Sequence, residues 1–110
     1  MIFELRTYTL QPGKTEDYWR SYEDGGWAAQ DPRLNEHMIG YFQSQMGELN
    51  QIVHFWKFDD ADQRKELRAA NYARSDWDNH LKKIRPMMLE QKTELLLPSP
   101  VPGMCPLADR

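Results

Sequence analysis

The amino-acid sequence predicts an α+β fold, a ferredoxin-like βαββαβ domain with a four-stranded antiparallel sheet and helices on one face. Several segments alternate with the period of two that strands show, and segments with helical spacing separate the first strand from the second and the third from the fourth. Right-handed crossovers place both helical segments on the same side of the sheet. The 110 residues suit a single domain with one core.

The segment Gln51 to Phe58 carries the most information about the sheet. It is dense in aromatic and β-branched residues, which suit pleated strands. Successive side chains of a strand point to opposite faces. The two faces are Ile52, His54, Trp56 and Phe58, and Gln51, Val53, Phe55 and Lys57. Because neither face is wholly polar, we expect a central strand that is covered on both sides.

The first part of the chain is predicted to form a strand, a helix and a loop. Ile2 to Leu10 alternates across a sheet plane, and Gln11-Pro12-Gly13 ends that strand. Lys14 to Ala29 has an aromatic stripe at helical spacing, and Gly25-Gly26 is expected to fray or end the helix. The segment 31–35 is predicted to be a loop.

A hairpin is predicted next. Met38 to Met46 forms its first strand and pairs with Gln51 to Phe58. Gly47 and Asn50 bracket the turn, because both residues tolerate backbone conformations that β-branched residues resist.

Two helices are predicted in the second half of the chain. Asp60 followed by Gln63 resembles a capping box and predicts a helix through Tyr72. Ser75 followed by Asp78 predicts the start of a second helix. The buried stripe of this second helix is Trp77, Leu81 and Ile84.

The end of the chain is predicted to return to the sheet. Pro86 interrupts the second helix, and Met87 to Leu89 is expected to begin another helical turn. Thr93 to Leu97 is the last strand. We therefore divide the chain into a domain, 1–98, and a proline-rich C-terminal tail, 99–110, which is expected to be extended because proline removes backbone donors.

Composition excludes several classes of function. The formal net charge is −3 and no block of Lys or Arg stands out, so no nucleic-acid partner is expected. No apolar run reaches the ~18 residues that cross a bilayer, so no membrane partner is expected, and the N-terminus does not resemble a signal peptide. The lone Cys105 forms no internal disulfide, and without a Cys/His cluster we predict no metal site and no cofactor. A cytoplasmic location is the simplest expectation.

The predicted topology leaves one face of the sheet without helices. Because Gln51 to Phe58 carries large apolar residues on both faces, a monomer would expose a sizeable apolar patch, which soluble proteins rarely do. The sequence therefore predicts a homodimer in which two sheets pack face to face.

Several short runs, in this order and at this spacing, resemble the NIPSNAP family from Met1 to about Pro98. They are Glu4 to Leu10 with Pro12-Gly13-Lys14, Gly40-Tyr41-Phe42, Gly47 to Trp56, and Ile84-Arg85-Pro86. The resemblance implies a dimeric α/β-barrel, the fold shared with small cofactor-independent monooxygenases. It implies no particular activity and no catalytic residues, because fold analogy is a weak warrant for function.

Arg6 and Glu4 share one face of the first strand and form the first candidate site. An arginine fork can hold a carboxylate or an enolate of a small ligand. The alternative is an Arg–Glu pair at a dimer interface or at its rim.

His54, in the middle of its strand, is the second candidate. An imidazole titrates near neutral pH and can act as a general base, with Arg6 as its electrostatic partner. The alternatives are a haem ligand and, more commonly, a hydrogen-bonded residue of the core.

Other polar and aromatic residues are candidates for contact with a small-molecule ligand. Tyr8, Tyr41 and Trp56 can form the walls of an aromatic pocket or simply pack in the core. Asn50 can place its amide at the pocket mouth, and Arg85 can point back toward the sheet.

Two functions remain open on the sequence alone. One is cofactor-independent oxygenation or isomerisation of an activated carbonyl compound in a dry aromatic cavity. The other is a non-catalytic binding or scaffold domain. A cavity of ligand size favours the first, and a fully packed interior favours the second.

Overall fold

The computed structural model describes residues 1–109 and confirms the α+β, ferredoxin-like architecture. The strands are β1 (Ile2–Leu10), β2 (Met38–Gln43), β3 (Gln51–Phe58) and β4 (Met88–Leu96). They form one sheet in the order β2-β3-β1-β4, and every neighbouring pair is antiparallel. The two central strands, β1 and β3, agree with the predicted boundaries.

One layer of helices covers one face of this sheet. The helices are α1 (Thr15–Ser21), α2 (Trp27–Ala29), α3 (Pro32–Asn35), α4 (Ala61–Tyr72) and α5 (Ser75–Ile84). A π-helical turn, Tyr22–Gly26, joins α1 to α2, and 3₁₀ turns occupy Arg85–Met87 and Pro106–Asp109. Among residues 1–109, no helix is long and apolar enough to cross a membrane.

The helix that begins at Thr15 is interrupted near Gly25, as expected. Gly25 has a φ of 133°, which only glycine adopts readily, and the chain passes through the π turn and continues as α2. Gly26 is required for a different reason, because a Cβ there would overlap with the His80 ring from α5. The two glycines therefore place α1 and α2 close against α5.

The predicted loop at 31–35 is wrong in part, because Pro32–Asn35 forms the short helix α3. Pro32 stands at the start of this helix, where its missing N–H costs nothing. Asp31 caps the helix by accepting a hydrogen bond of 3.0 Å from the Arg33 backbone N–H. An Asp-Pro pair is thus a helix start here.

The edge strands differ from the prediction. β2 ends at Gln43, so the turn before β3 is longer than expected. The helical turn predicted at Met87 to Leu89 is wrong, because β4 begins at Met88 and pairs with β1, with Thr9 opposite Glu90. The segment 88–92 has little apolar alternation, and tertiary pairing rather than local propensity makes it a strand.

The predicted turn and cap chemistry is confirmed. Gly47 and Asn50 have φ values of 81° and 60°, so both lie in the left-handed region. Asp60 accepts a hydrogen bond of 2.7 Å from the Gln63 backbone N–H at the start of α4.

The core lies between the sheet and the helices. One cluster of buried residues contains Tyr8, Leu10, Tyr18, Ile52 and Ile84, and a second contains Leu34, Trp56 and Phe58. The buried stripe predicted for α5 is present, with Trp77 and Ile84 buried and Leu81 packed beside them.

The C-terminal tail lies against the face of the sheet that carries no helices. Its residues Met104 and Leu107 border a small pocket with Phe3 and Phe55. Lys57 Nζ donates a hydrogen bond of 3.3 Å to the Ala108 carbonyl. The division of the chain at residue 98 stays a prediction, and Arg110, the last residue of the predicted tail, lies outside the described residues.

Candidate functional site

A largely enclosed cavity of about 40 Å³ lies between the sheet and the helices α4 and α5. Its lining includes Arg6, Tyr8, Tyr41, His54, Arg68 and Trp77. Register brings these groups together, because Arg6 on β1 and Tyr41 on β2 are both directly opposite His54 on β3. A guanidinium, an imidazole and a phenol therefore stand side by side across three strands.

Beside the cavity, a single carboxylate is surrounded by three guanidinium groups. Glu4 is fully buried and accepts hydrogen bonds from Arg64 Nε and Arg68 Nη2, and Arg6 Nη1 lies 3.6 Å from its Oε2. Burial acts to raise the pKa of the Glu4 carboxyl, but the charges of Arg68 and Arg6 outweigh burial and lower that pKa below its usual value. One negative charge against three positive charges leaves an excess of positive charge next to the cavity.

His54 is held as a neutral ring. Its side chain is 1% exposed, stacks on Tyr41 with 4.2 Å between ring centroids, and meets Tyr8 edge-on. Burial, reinforced by the charges of Arg6 and Arg68, lowers the pKa of His54 well below its ordinary value. Trp56 Nε1–H donates a hydrogen bond of 2.8 Å to His54 Nδ1. Because indole is only a donor, Nδ1 must be the acceptor and the ring proton lies on Nε2.

Three of the residues that line this cavity each carry a buried donor that has no hydrogen-bond partner within residues 1–109. These donors are His54 Nε2, Arg68 Nε and Trp77 Nε1. An unsatisfied buried donor costs about 1–3 kcal/mol, so three in one place require an explanation. A water molecule needs only ~10–15 Å³ and can enter, but it offers two lone pairs. A carboxylate or enolate offers more acceptor sites and also matches the positive charge.

The tyrosines of the cavity are neutral. Arg6 Nε donates a hydrogen bond of 3.0 Å to the Tyr8 hydroxyl, and the hydroxyl groups of Tyr22 and Tyr41 lie 3.5 Å apart. Burial raises the pKa of each of these tyrosines above its ordinary value. Among the described residues that line the cavity, none is Asp or Glu. The lining therefore offers donors and phenols rather than a carboxylate base.

A second depression lies outside the cavity, between the first helical segment and β2. This aromatic groove has a volume of about 400 Å³, and it is bordered by Trp19, Trp27 and Met38. Tyr22 and Tyr41 border both the groove and the cavity. The two tyrosines are therefore the partition between an apolar groove and a polar cavity.

Most of the residues predicted as site residues converge here. Arg6, Tyr8, Tyr41, His54 and Arg85 line the cavity. Glu4 and Trp56 lie one step behind the lining, where they pair with its arginines and its histidine. Asn50 lies apart, in the hairpin turn, where its backbone carbonyl accepts a hydrogen bond of 2.7 Å from the Leu10 N–H.

Sequence reasoning missed Arg68, and it placed Trp77 in the core-facing stripe of α5 as a residue that could roof a pocket. Arg64, Leu67, Arg68 and Asn71 have the i, i+3, i+4, i+7 spacing of one helix face, so the face of α4 that meets the sheet is mostly polar. A helix whose inner face carries two arginines and a buried amide signals a polar site beneath it. That pattern was available in the sequence.

Fold and site together define a class: a small α+β domain with a ferredoxin-like βαββαβ sheet and a donor-lined cavity between the sheet and the helices. The chain belongs to the NIPSNAP family, whose sequence model matches residues 3–102. This membership confirms the resemblance noted from the sequence motifs.

Several known proteins are similar to this chain. NipSnap homolog 2 of Homo sapiens is 32% identical over 104 residues, which cover 88% of this chain and 33% of the human protein. Protein NipSnap of Drosophila melanogaster is 30% identical and is matched over 35% of its length. The chain thus spans about a third of the length of these curated relatives.

Solved structures give the same assignment. Protein Atu4242 from Agrobacterium tumefaciens is 35% identical with a TM-score of 0.85, covering 94% of this chain and 99% of that one. A NIPSNAP-like domain protein from Burkholderia xenovorans is 32% identical with a TM-score of 0.83, covering 94% and 90%. An antibiotic biosynthesis monooxygenase has a TM-score of 0.62 at 11% identity, which shows a shared fold and nothing beyond it.

Proposed function

We propose that this protein binds a small molecule through an anionic oxygen, a carboxylate or an enolate, in the cavity beside Arg6, His54 and Arg68. The observation that carries the proposal is the set of three buried donors without partners at one cavity. Such donors point to a group that accepts several hydrogen bonds at once. The excess positive charge around Glu4 selects an anion over a neutral carbonyl.

The proposal changes the role of His54 from the general base suggested by the sequence to a hydrogen-bond donor. Its Nδ1 already accepts from Trp56, and its Nε2–H is the free position. Arg6 keeps its predicted role as the electrostatic partner. Burial raises the pKa values of Tyr8 and Tyr41, which stay protonated, so the site is suited to an anion that the ligand itself supplies.

If the protein is an enzyme, the chemistry must place negative charge on an oxygen. Isomerisation of an activated carbonyl compound and its cofactor-independent oxygenation by dioxygen both satisfy this condition for a compound that enters already ionised as its enolate, so that no base in the cavity has to remove the proton. Preorganised donors in a site shielded from water stabilise such an oxyanion strongly. Removing one donor from a set of this kind lowers the rate by about 10²–10³-fold.

The alternative is a non-catalytic binding or scaffold domain, and the small cavity favours it. About 40 Å³ accommodates a head group, whereas pockets for whole ligands usually measure about 300–1,000 Å³. On this alternative, ordered water occupies the cavity and the polar cluster serves only the fold.

We also propose that the chain forms a homodimer through the face of the sheet that carries no helices. Leu5, Val53 and Phe55 lie on this face, and Phe42 is 56% exposed beside them. The described part of the tail lies at the end of this face near Phe3, Phe55 and Ile39. A cytoplasmic location stays a prediction that follows from the single cysteine.

The binding proposal is tested with matched charged and neutral ligands. We expect benzoate to bind and benzamide to bind at least about tenfold more weakly, a difference of about 1.4 kcal/mol. Quinols, β-keto compounds and other enolisable compounds extend the panel. Calorimetric titration measures affinity, and product analysis under air detects turnover.

Two variants test whether benzoate binds in the cavity. His54→Phe removes the Nε2–H donor, and Arg6→Lys keeps the charge but loses the planar fork, so each should weaken benzoate binding by about 10-fold or more. Arg20→Lys, at an exposed arginine on α1, is the matched control and should bind like the parent. If no anion binds the parent, or if variants with normal melting temperatures bind normally, the scaffold alternative replaces the proposal.

A further inference from the structure

We infer that the cavity and the aromatic groove are two halves of one ligand site, and that the ligand is a planar aromatic compound carrying the anionic group. Its acidic oxygen lies in the cavity, and its ring system lies in the groove beside Trp27. This inference rests on the proposed function and adds the ligand class and the path that the ligand takes.

The two halves have complementary sizes and chemistry. The cavity, at about 40 Å³, holds a head group and no more, while the groove, at about 400 Å³, has the volume of a typical ligand pocket. The groove is walled by Trp19, Trp27 and Met38, and Trp27 is 54% exposed. An aromatic ring system placed there would remove that indole from water and stack on it.

Two tyrosine side chains, Tyr22 and Tyr41, border both halves. Tyr22 and Tyr41 meet edge to face with 5.7 Å between ring centroids, and their hydroxyl groups are 3.5 Å apart. Hydroxyl pairs prefer about 2.7–2.8 Å, so this contact is weak. Tyr41 is held by stacking on His54, and Tyr22 is held by an edge-on contact with the His80 ring, with 4.4 Å between ring centroids, and by the Tyr18 hydroxyl, 3.4 Å from its own. Rotation of Tyr22 would join the groove to the cavity, and its hydroxyl would then be free to bind the ligand.

Charge orients the ligand along this path. Glu23 stands at the groove, so a second anionic group there would be repelled. Arg6 and Arg68 lie at the inner end. A compound with one acidic oxygen and an uncharged aromatic body fits this gradient, whereas a dicarboxylate does not.

The cavity also approaches the surface at a second place, away from the groove. A residue at that place can be compared with Trp27. Tyr72 and Arg85 border the cavity on the side of β4, and Tyr72 is 48% exposed. Trp27 borders the groove, and Tyr72 borders the cavity on the opposite side. The two aromatic side chains are similarly exposed. Replacing each residue with alanine shows whether the aromatic part of the ligand lies in the groove or on the side of Tyr72.

The experiment compares acetate with 2-naphthylacetate, which share a carboxylate and differ in the aromatic body. Affinity is measured by calorimetry on the full chain and on Trp27→Ala, Tyr72→Ala and Leu49→Ala, the last an exposed apolar residue in the hairpin turn. We expect 2-naphthylacetate to bind the parent at least about tenfold more tightly than acetate. Trp27→Ala should remove at least about fivefold of that gain without changing acetate binding. Leu49→Ala should match the parent, and Tyr72→Ala, at the boundary of the cavity, should change the affinities for both compounds by the same factor and so leave the gain intact.

The outcomes separate this inference from the proposed function. If both compounds bind equally, or if Tyr72→Ala rather than Trp27→Ala removes the gain, the inference is wrong and anion binding stands. If neither compound binds, the proposed function fails and the inference fails with it. If Trp27→Ala halves the sedimenting mass, the groove is an interface between copies of the chain, and the inference is again wrong. A thermal melt of each variant confirms that folded protein is compared.

Discussion

The two faces of the sheet differ around Glu4, Arg6 and His54, where polar groups are buried within an otherwise apolar face. On the face covered by helices, neighbouring positions hold Glu4, Arg6 and His54, all buried. On the opposite face, the alternating positions of the same strands hold Leu5, Val53 and Phe55. An antiparallel sheet with one face in water normally buries its apolar side and exposes its polar side.

This difference separates two roles within one sheet. Buried ions and unsatisfied donors weaken a fold, so their presence under the helices favours a ligand there. Apolar side chains without a helical cover favour a partner on the other side. Because successive side chains of a strand point to opposite faces, the same strands supply the residues of both surfaces.

The largest expected effect is at Glu4. Glu4→Gln removes the only carboxylate among three guanidinium groups, and leaving buried charges uncompensated costs about 3–5 kcal/mol. Urea denaturation of this variant should show a loss of that size. Glu94→Gln, on the opposite face and exposed, is the matched control and should stay within about 0.5 kcal/mol. Equal effects at both positions would remove the distinction between the faces.

The opposite face is tested by Phe42→Glu. Phe42 is exposed in the single chain, so the change should not unfold it, but it would place a charge in the proposed interface. We expect the dissociation constant of the dimer to rise by at least about 100-fold, or about 2.7 kcal/mol. Sedimentation equilibrium measures this, with Leu49→Glu in the hairpin turn as control. A parent protein that sediments as a well-folded monomer contradicts the homodimer proposal.

Acid should destabilise the covered side through its buried histidines. Burial lowers the pKa of His54 well below 6.5, and burial together with Lys83 lowers that of His80 to about 4. Below pH 6.5 the unfolded chain therefore binds protons that the folded chain does not. The unfolding free energy should be constant above this pH and should fall below it by about 1.4 kcal/mol per pH unit for each histidine.

His54→Gln separates the two contributions. Removing one titrating ring should reduce the slope by about 1.4 kcal/mol per pH unit and leave the His80 component, which continues to about pH 4. Glu4, whose pKa is lowered, adds its own loss only at more acidic pH. Chemical denaturation at a series of pH values provides the curves. An unchanged slope in the variant would mean that His54 is not held neutral by burial.

Close packing of the helical layer gives a smaller effect. A Cβ at Gly26 would overlap with the His80 ring, so Gly26→Ala must displace that ring or the helix. Overpacking of this kind costs about 1–3 kcal/mol. Gly13→Ala is a control for strain without overlap, because Gly13 has a positive φ and open space around its Cα. A smaller loss of unfolding free energy at Gly26 than at Gly13 would contradict this packing.

The sequence predicts the sheet because local signals and tertiary structure agree there. Alternation over Gln51 to Phe58, the turn residues Gly47 and Asn50, and the Asp60 cap each determine a feature that the structure confirms. β4 is not marked in the same way, because Glu90 to Glu94 is polar and becomes a strand only through pairing with β1. Edge strands depend on their neighbours more than on their own residues.

The site is predictable in part for a related reason. Strand parity is enough to place Arg6, Tyr8 and His54 on one face, and β3 pairing adds Tyr41. The contribution of Arg68 and Trp77 depends on how α4 and α5 lie over the sheet, which strand patterns do not specify. The pairing of Trp56 with His54, which decides the tautomer of the ring, also requires the three-dimensional structure.

The most direct measurement is a ¹⁵N spectrum of the four tryptophan indole groups during titration with benzoate. Each indole has a different environment: Trp56 donates to His54, Trp19 donates to Gln43, Trp27 is exposed, and Trp77 is a buried donor without a partner. If the cavity binds an anionic oxygen, the Trp77 N–H signal should move downfield and saturate, while the Trp19 signal stays in place. A Trp77 signal that does not respond at saturating benzoate would contradict the central claim.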